Sequence, residues 1–456
     1  MSALLVEPGT RLSGATRVPG DKSIAHRWLI LATTASGSSH LAGVPRSLDV
    51  RSTAACLAQV SPSARAALEG WSTNDPAEPD GHGSTWNRGN AEPPERSLEV
   101  EGSGHACLTA PDRELDCGNS ATSMRLLAGV VAGVAARSIL TGDESLRGRP
   151  MERAAVPLRA MGAGVDTTGG CAPITIRGGG LRGIRYRVPI ASAQVKGCVL
   201  LAGLSAEGET VVEEPAPTRD HTERALVALG GPVVIAPGRV SLRPFQHVGF
   251  TGTVPGDLSS AAFLVAAAAL TGSALTITRV GLNPSRTRLL EVMGRMGVRT
   301  TQHVHHEELG EPVGDLEVEA CAGLIGTRIE AAELPLVIDE VPILALVAAH
   351  ATGETWFLGA AELRVKESDR IAALVAGVRA LGGRAQDEGP DLVIGGGGLH
   401  GGHASGGGDH RMAMALAIAA LAARGPSRID GIEAAEVSFP GFVPTLHGLG
   451  ARIEEG

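Results

Sequence analysis

Six stretches of the chain share one pattern: a short polar turn, then a run of apolar residues with almost no polar face. They read GDKSIAHRWLILAT, GNSATSMRLLAGVVAG, SAQVKGCVLLAGL, GDLSSAAFLVAAAAL, DEVPILALVAAH and GDHRMAMALAIAA, and begin near Gly20, Gly118, Ser192, Gly256, Asp339 and Gly408. A surface helix carries a polar stripe, so runs that are apolar nearly all round predict buried helices. Asp, Asn or Ser at the front of each run is an N-cap signal, and Pro342 suits a first helical turn. Short β-like pieces such as SLEVEGSG, APITIRGG, ALTITRV and DLVIGGGG lie between the runs. So do two more polar helical candidates, SRTRLLEVMGRMG and SDRIAALVAGVRALG. The pattern is one α/β unit used six times.

Residues 70–97 break it. They are rich in Pro, Gly, Asn and charge and lack apolar periodicity, which predicts a flexible surface insertion. At 456 residues the chain is long enough for two or three domains. Hydrophobic residues make up 43% of it and aromatics only 2%, so the cores must be aliphatic. So few aromatics argue against base-stacking platforms for nucleic acid. A net charge of −9 gives no global attraction to nucleic acid or to an anionic membrane. An anionic ligand must therefore be held by a local cationic pocket. The most apolar segment, LSSAAFLVAAAALTG, is too short to span a bilayer, and Glu7, Arg11, Arg17 and Asp21 break up the N-terminus as a secretory signal. The cysteines form no C-x-x-C pair and read as small buried hydrophobes in a reducing cytosol. The expectation is a soluble, cytoplasmic protein.

Lysine is scarce: of 40 Lys and Arg residues only Lys22, Lys196 and Lys366 are lysines. An ammonium can give up a proton, whereas a guanidinium stays charged. A lone lysine such as Lys22 reads equally well as a surface residue near a helix start. However, all three lysines fall in windows where other chemistry gathers. Helix N-termini favour phosphates and carboxylates, and Lys22, Ser23 and Arg27 stand at the first helix start. Thr122 and Arg125 stand at the second, Ser192, Gln194 and Lys196 at the third, Asp339 and Glu340 at the fifth, His410 and Arg411 at the sixth. The segment RVKESDR adds Lys366 and Arg370 at i, i+4 with Glu367 between them, and GDESLRGRPM adds Arg147 and Arg149. One anion needs two or three cations; this many imply two anionic substrates.

These stretches resemble the 3-phosphoshikimate 1-carboxyvinyltransferase (EPSP synthase) family, from PGDKSIAHR at residue 19 to GDHRMAMA ending at residue 416. The matches include DCGNSATSMRLLAG, SAQVKGCVLLAGL, TRDHTERAL, DEVPILA and RVKESDRI. The resemblance implies an inside-out α/β barrel of two domains, each of three β/α repeats with helices inside and sheets outside. One domain would hold residues 1–20 and 250–456, the other residues 21–249 with the insertion. The family reaction adds the 5-hydroxyl of shikimate-3-phosphate to phosphoenolpyruvate and expels phosphate, a step toward chorismate and the aromatic amino acids. It implies no metal and no organic cofactor, two small-molecule substrates, no nucleic-acid or membrane partner, and a monomer.

Carried over residue by residue, the resemblance makes Lys22, Asp339 and Glu367 catalytic: Asp339 as base for the 5-hydroxyl, Glu367 handling the proton at the methylene carbon, and Lys22 touching both substrates. Shikimate-3-phosphate would be held by Lys22, Ser23, Arg27, Ser192, Ala193, Arg219, Asp339 and Lys366. Phosphoenolpyruvate would be held by Lys22, Ala121, Arg125, Arg149, Gln194, Arg370 and Arg411. Asp339 is also a candidate N-cap beside Pro342, and Lys196 is open to either a catalytic or a bracing role. Val437 stands where many relatives carry a lysine, and Ala193 where many carry a serine; both departures resemble the class II branch. Ala121 replaces a glycine of the glyphosate-sensitive branch, which implies tolerance of that inhibitor. The alternatives are the related transferase acting on UDP-N-acetylglucosamine, which typically uses a loop cysteine and lacks RVKESDR, and an inactive phosphate-binding relative, which intact Lys22, Asp339, Glu367 and Arg411 oppose.

Overall fold

The computed structural model describes residues 2–73, 97–321 and 323–456. All six apolar runs are helices: Lys22–Thr34, Ala121–Ala132, Ala193–Gly203, Leu258–Thr271, Val341–His350 and His410–Ala420. Each is buried along nearly its whole length. Five begin as their sequence predicts, on a cap whose side chain accepts a backbone N–H. The pairs are Asp21 with Ile24 (3.0 Å), Ser120 with Ser123 (3.1 Å), Ser192 with Val195 (3.3 Å), Asp257 with Ser259 (2.9 Å) and Asp409 with Arg411 (3.0 Å). The fifth helix departs. Its N-cap is Glu340, with no side-chain capping bond and Pro342 in the first turn, so Asp339 is not the cap. Arginine and lysine side chains occupy its carboxylate instead.

Six small sheets cover the helices, five of four strands and one of three among the described residues. The β-like stretches fall on the strands Ser97–Ser103, Cys171–Arg177, Ala274–Gly281 and Asp391–Gly395, and the polar helical candidates on Arg288–Arg295 and Arg370–Ala380. Buried apolar side chains divide into two clusters. One joins Leu4–Val18 to residues Leu258 through Ile453; the other runs from Ile24 to Val254. Both are built mainly of Leu, Val, Ile and Ala. Aromatic packing in the first is a small group in which Phe442 meets Phe263 and Phe439 edge-on at 6.2 and 5.5 Å. The buried helices pack closely enough to exclude a side chain: a Cβ on Gly129 would lie 2.2 Å from the Cys198 carbonyl.

The chain crosses between the clusters twice, and the crossings lie side by side. The Asp21 N–H donates to the Pro255 carbonyl at 2.7 Å and that of Asp257 to Pro19 at 2.8 Å. A Cβ on Gly20 would meet the Gly43 carbonyl at 2.1 Å, so the first crossing demands glycine. Strand Thr251–Thr253 pairs with Ser36–Ala42, and the return crossing follows at Pro255–Asp257. Of the stretch read as an insertion, residues 70–73 finish a helix, Arg65–Thr73, and Ser97 starts a strand; residues 74–96 lie outside the described residues. Three cysteines, Cys56, Cys117 and Cys198, are buried as expected, but Cys107 is exposed and Cys171 and Cys321 are half-buried. No helix among the described residues is long and apolar enough to cross a membrane.

Candidate active site

The starts of the buried helices converge on one cavity of about 440 Å³ between the two clusters. Fourteen of the fifteen site residues expected from sequence line it; the exception is Arg370. Among the described residues, nine Lys and Arg side chains line the cavity against five Asp and Glu, in a chain whose net charge is −9. The cationic pocket that the acidic chain required is therefore present.

Lys22, at the first helix start, donates to Asp49 at 2.6 Å. One turn on, Arg27 donates to the Ser23 carbonyl (2.8 Å) and to Thr222 Oγ1 (2.7 Å); burial pulls its pKa down to about 10. At the second start, Arg125 donates to Gln194 Oε1 and to the Pro150 carbonyl (3.0 Å), and burial lowers it likewise to about 10. Gln194 in turn donates to Thr122 at 2.8 Å, so the second and third helix starts are tied together. Arg149 reaches Asn119 Oδ1 at 2.6 Å. Ser192 is used as a cap, and Ala121 and Ala193 are the first residues of their helices.

Asp339 is the most heavily attended carboxylate. Arg219 Nη2 lies 2.6 Å from it, Lys366 Nζ 3.4 Å and Arg370 Nη1 3.9 Å, while Arg411 donates to its backbone carbonyl at 3.0 Å. Burial works against its charge, but Lys366, Arg219, Arg411 and Arg370 hold it well below the usual carboxylate range. Glu367 contacts Arg370 at 2.7 Å and Arg149 at 3.5 Å; burial again raises its pKa, and Arg370, His410 and Arg149 more than reverse that. Both carboxylates are thus ionised. Arg370 stands behind this pair, 1% exposed, bonded to Asp409 at 2.8 Å. Residues 366–369 form a bend between two helices rather than a helical turn, so Lys366 and Arg370 converge through Asp339 and not along a helix face.

Several lining residues carried no signal in the sequence. Asp49, Asn119, Arg153, Arg286 and Glu362 come from stretches that look like ordinary solvated turns or helix faces. Arg153 and Glu362 form a bidentate pair (2.6 and 3.2 Å) across the cavity mouth. Arg286 lies buried among Asp257, Ser259 and Glu340. Asn119 does sit inside the quoted GNSA turn, where its position just before a cap was the available hint. Among the described residues no group of three or more His, Cys, Asp or Glu side chains is placed to hold a metal ion.

Helices inside, six sheets outside and a cation-lined cavity between two cores define an enolpyruvyl-transferase fold. The enolpyruvyl transferase NikO from Streptomyces tendae has the same fold, with a TM-score of 0.74 at 20% identity over 100% of this chain and 99% of that one. EPSP synthase from Acinetobacter baumannii superposes with a TM-score of 0.83 at 38% identity, covering both chains completely. A family profile described as EPSP synthase (3-phosphoshikimate 1-carboxyvinyltransferase) matches residues 6–69 and 91–446. Curated 3-phosphoshikimate 1-carboxyvinyltransferases from Acidithiobacillus ferrooxidans and Halorhodospira halophila are 44% and 45% identical, covering 100% and 98% of this chain and 99% and 96% of theirs. The chain belongs to the EPSP synthase family.

Proposed function

We propose that the chain transfers the enolpyruvyl group of phosphoenolpyruvate to the 5-hydroxyl of shikimate-3-phosphate, releasing phosphate, at this cavity. The observation that carries the reading is a cavity lined by nine Lys and Arg side chains against five Asp and Glu, with two ionised carboxylates, Asp339 and Glu367, among those cations. Two multiply charged anions entering the cavity would take over those cations.

That exchange also sets the acid–base chemistry. Asp339 held far below the usual range is a poor base. Once a substrate phosphate neutralises Arg219 and Lys366, its pKa rises toward the value a base needs. Asp339 then takes the proton of the 5-hydroxyl as that oxygen bonds to the enol carbon. Glu367, freed in the same way from Arg149, rises in pKa, takes up a proton from solvent as the substrates bind, and delivers it to the methylene carbon, giving the tetrahedral ketal. Loss of phosphate from the ketal returns the methyl proton to Glu367. Lys22 stands between the two substrates and supplies the mobile proton that a guanidinium could not. Ser23, Arg27, Ser192, Ala193, Arg219 and Lys366 hold shikimate-3-phosphate; Ala121, Arg125, Arg149, Gln194 and Arg411 hold phosphoenolpyruvate. Arg370 acts on phosphoenolpyruvate from behind, through Glu367. In this reading the two clusters are two domains meeting at Pro19–Asp21 and Pro255–Asp257, and the protein works as a cytoplasmic monomer without metal or organic cofactor.

The test is phosphate release with both substrates, with each omitted in turn, and with UDP-N-acetylglucosamine as the acceptor. Release is expected only when shikimate-3-phosphate and phosphoenolpyruvate are both present, and it should survive a chelator. Binding of shikimate-3-phosphate without turnover would instead indicate an inactive relative.

A further inference from the structure

Beneath the loop that carries Arg219 lies a buried ion triad that the reaction does not use. Lys196, on the third buried helix, places Nζ 2.7 Å from Glu214 Oε2 and 2.7 Å from Glu223 Oε1. The three side chains are 3%, 9% and 4% exposed, and none lines the cavity. Glu214 follows strand Thr210–Glu213 and opens the loop; its other carboxylate oxygen accepts from Thr218. Glu223 lies in the first turn of helix His221–Ala228, which closes the loop. One ammonium therefore ties both ends together.

What hangs between those ends is ligand-facing. Thr218 and Arg219 line the cavity, and Arg219 reaches across it to Asp339. Helix His221–Ala228 also supplies Thr222, the acceptor for Arg27. Arg219 thus stands on the segment whose ends the triad joins, and Arg27 is anchored to that segment through Thr222. Burying charges is costly and adds little stability of its own, so such a group is better explained by the geometry it enforces. One compact ammonium can serve two carboxylates on different elements, where a planar guanidinium would be longer and flatter. Burial opposes the charge on Lys196, but Glu223 and Glu214 hold its pKa above the ordinary lysine value. Burial keeps Glu223 above the ordinary carboxylate value although Lys196 pulls it down.

We propose that Lys196 is a positioning residue for shikimate-3-phosphate: its ammonium fixes both ends of the Glu214–Glu223 segment and so sets where Arg219 and Arg27 stand. This rests on the assignment of the cavity to shikimate-3-phosphate and phosphoenolpyruvate. Phosphate release by the wild type tests that assignment first, and its absence would sink the assignment alone. In an active protein, Lys196→Met should raise KM for shikimate-3-phosphate roughly tenfold or more, as expected for loss of a charge-assisted contact, and leave KM for phosphoenolpyruvate within about twofold. Unchanged values for both substrates, or equal rises in both, would overturn the proposal. Lys196→Met leaves two buried acids unpaired and so can fail to fold. The triple variant Lys196→Met/Glu214→Gln/Glu223→Gln removes that repulsion. Its Tm should recover toward the wild type while KM for shikimate-3-phosphate stays high. Recovery of both would reduce the triad to a stability device.

Discussion

The two walls of the cavity present different chemistry to the space between them. The wall drawn from residues 21–249 presents Lys22, Arg27, Arg125, Arg149, Arg153 and Arg219 against one carboxylate, Asp49. The opposite wall presents Arg286, Lys366 and Arg411 against four, Asp257, Asp339, Glu362 and Glu367. In the proposed reaction the first wall holds anions and moves one proton through Lys22, whereas the second supplies the two carboxylates Asp339 and Glu367. Three pairs cross between the walls: Arg219–Asp339, Arg149–Glu367 and Arg153–Glu362. These three pairs offset part of the repulsion between two walls that both carry cations.

The sharpest test of this division is Lys22, the first-wall residue given a proton to move. Lys22→Arg keeps the charge and should cost roughly 10²–10⁴-fold in turnover, the usual contribution of general acid–base catalysis. Asp339→Asn should cost a similar factor while calorimetry still detects shikimate-3-phosphate binding, since the cations remain. Near-normal turnover in Lys22→Arg would make the first wall purely electrostatic.

The next effect is on stability. Burial pushes His26 well below its ordinary pKa, His105 to about 4 and His410 to about 3, with Lys22 adding to the effect at His26 and His410. In the unfolded chain these groups bind protons that the folded state refuses, so stability should rise with pH between roughly 4 and 6.5. Asp257 opposes this. Burial and the neighbouring Asp21 raise it to about 6, so its contribution is lost as pH rises through that value. His247 and His350 are lowered by burial as well, while burial raises Glu223 and Glu436 as it does Asp257, so five histidines outnumber three carboxyls, and each unmatched proton is worth about 1.4 kcal/mol per pH unit. Thermal melts at pH 5 and pH 6.5 should differ by several degrees with the lower Tm at pH 5, and Asp257→Asn should steepen the dependence. A flat profile would contradict the burial of these histidines.

Ala121 tests how tightly the first wall fits. It is 9% exposed at the start of its helix and lines the cavity. If its methyl shortens the phosphoenolpyruvate end, glyphosate should bind this chain poorly, and Ala121→Gly should restore sensitivity. Overfilling costs about 1–3 kcal/mol, roughly 5- to 150-fold in affinity. The measurement is an inhibition series on both proteins at equal phosphoenolpyruvate saturation; equal inhibition would end the steric argument.

What the sequence made legible was local. Helix starts, caps and cations within a few residues of one another were readable because their signals are contiguous, as at Asp21–Lys22–Ser23 and Asp409–His410–Arg411. What it hid was pairing across long separations. Nothing near Asp49 announces that it meets Lys22, and nothing in GRPMER joins Arg153 to Glu362, 209 residues later. Asp339 misled in the opposite direction. Its neighbour Pro342 made it look like a cap, but the cations gathered from three other segments outcompete the backbone N–H groups for its carboxylate.

The smallest effect belongs to the Arg153–Glu362 pair. Both partners of Arg219–Asp339 and Arg149–Glu367 are assigned to the reaction, so those pairs should part when substrates bind. Arg153 and Glu362 have no such role, and their bidentate contact at the mouth should persist as a latch between the walls. The side chains are 30% and 34% exposed, so water and salt screen the attraction. A pair of this kind is worth about 0.2–1 kcal/mol, at most roughly fivefold. A double-mutant cycle with Arg153→Gln and Glu362→Gln, read in kcat/KM for phosphoenolpyruvate, should give a coupling in that range at low salt that fades as ionic strength rises. Zero coupling at low salt would mean the mouth is not latched. A coupling of several kcal/mol that resists salt would place the pair among the groups that hold substrate, and would move Glu362 from the rim of the second wall into its working part.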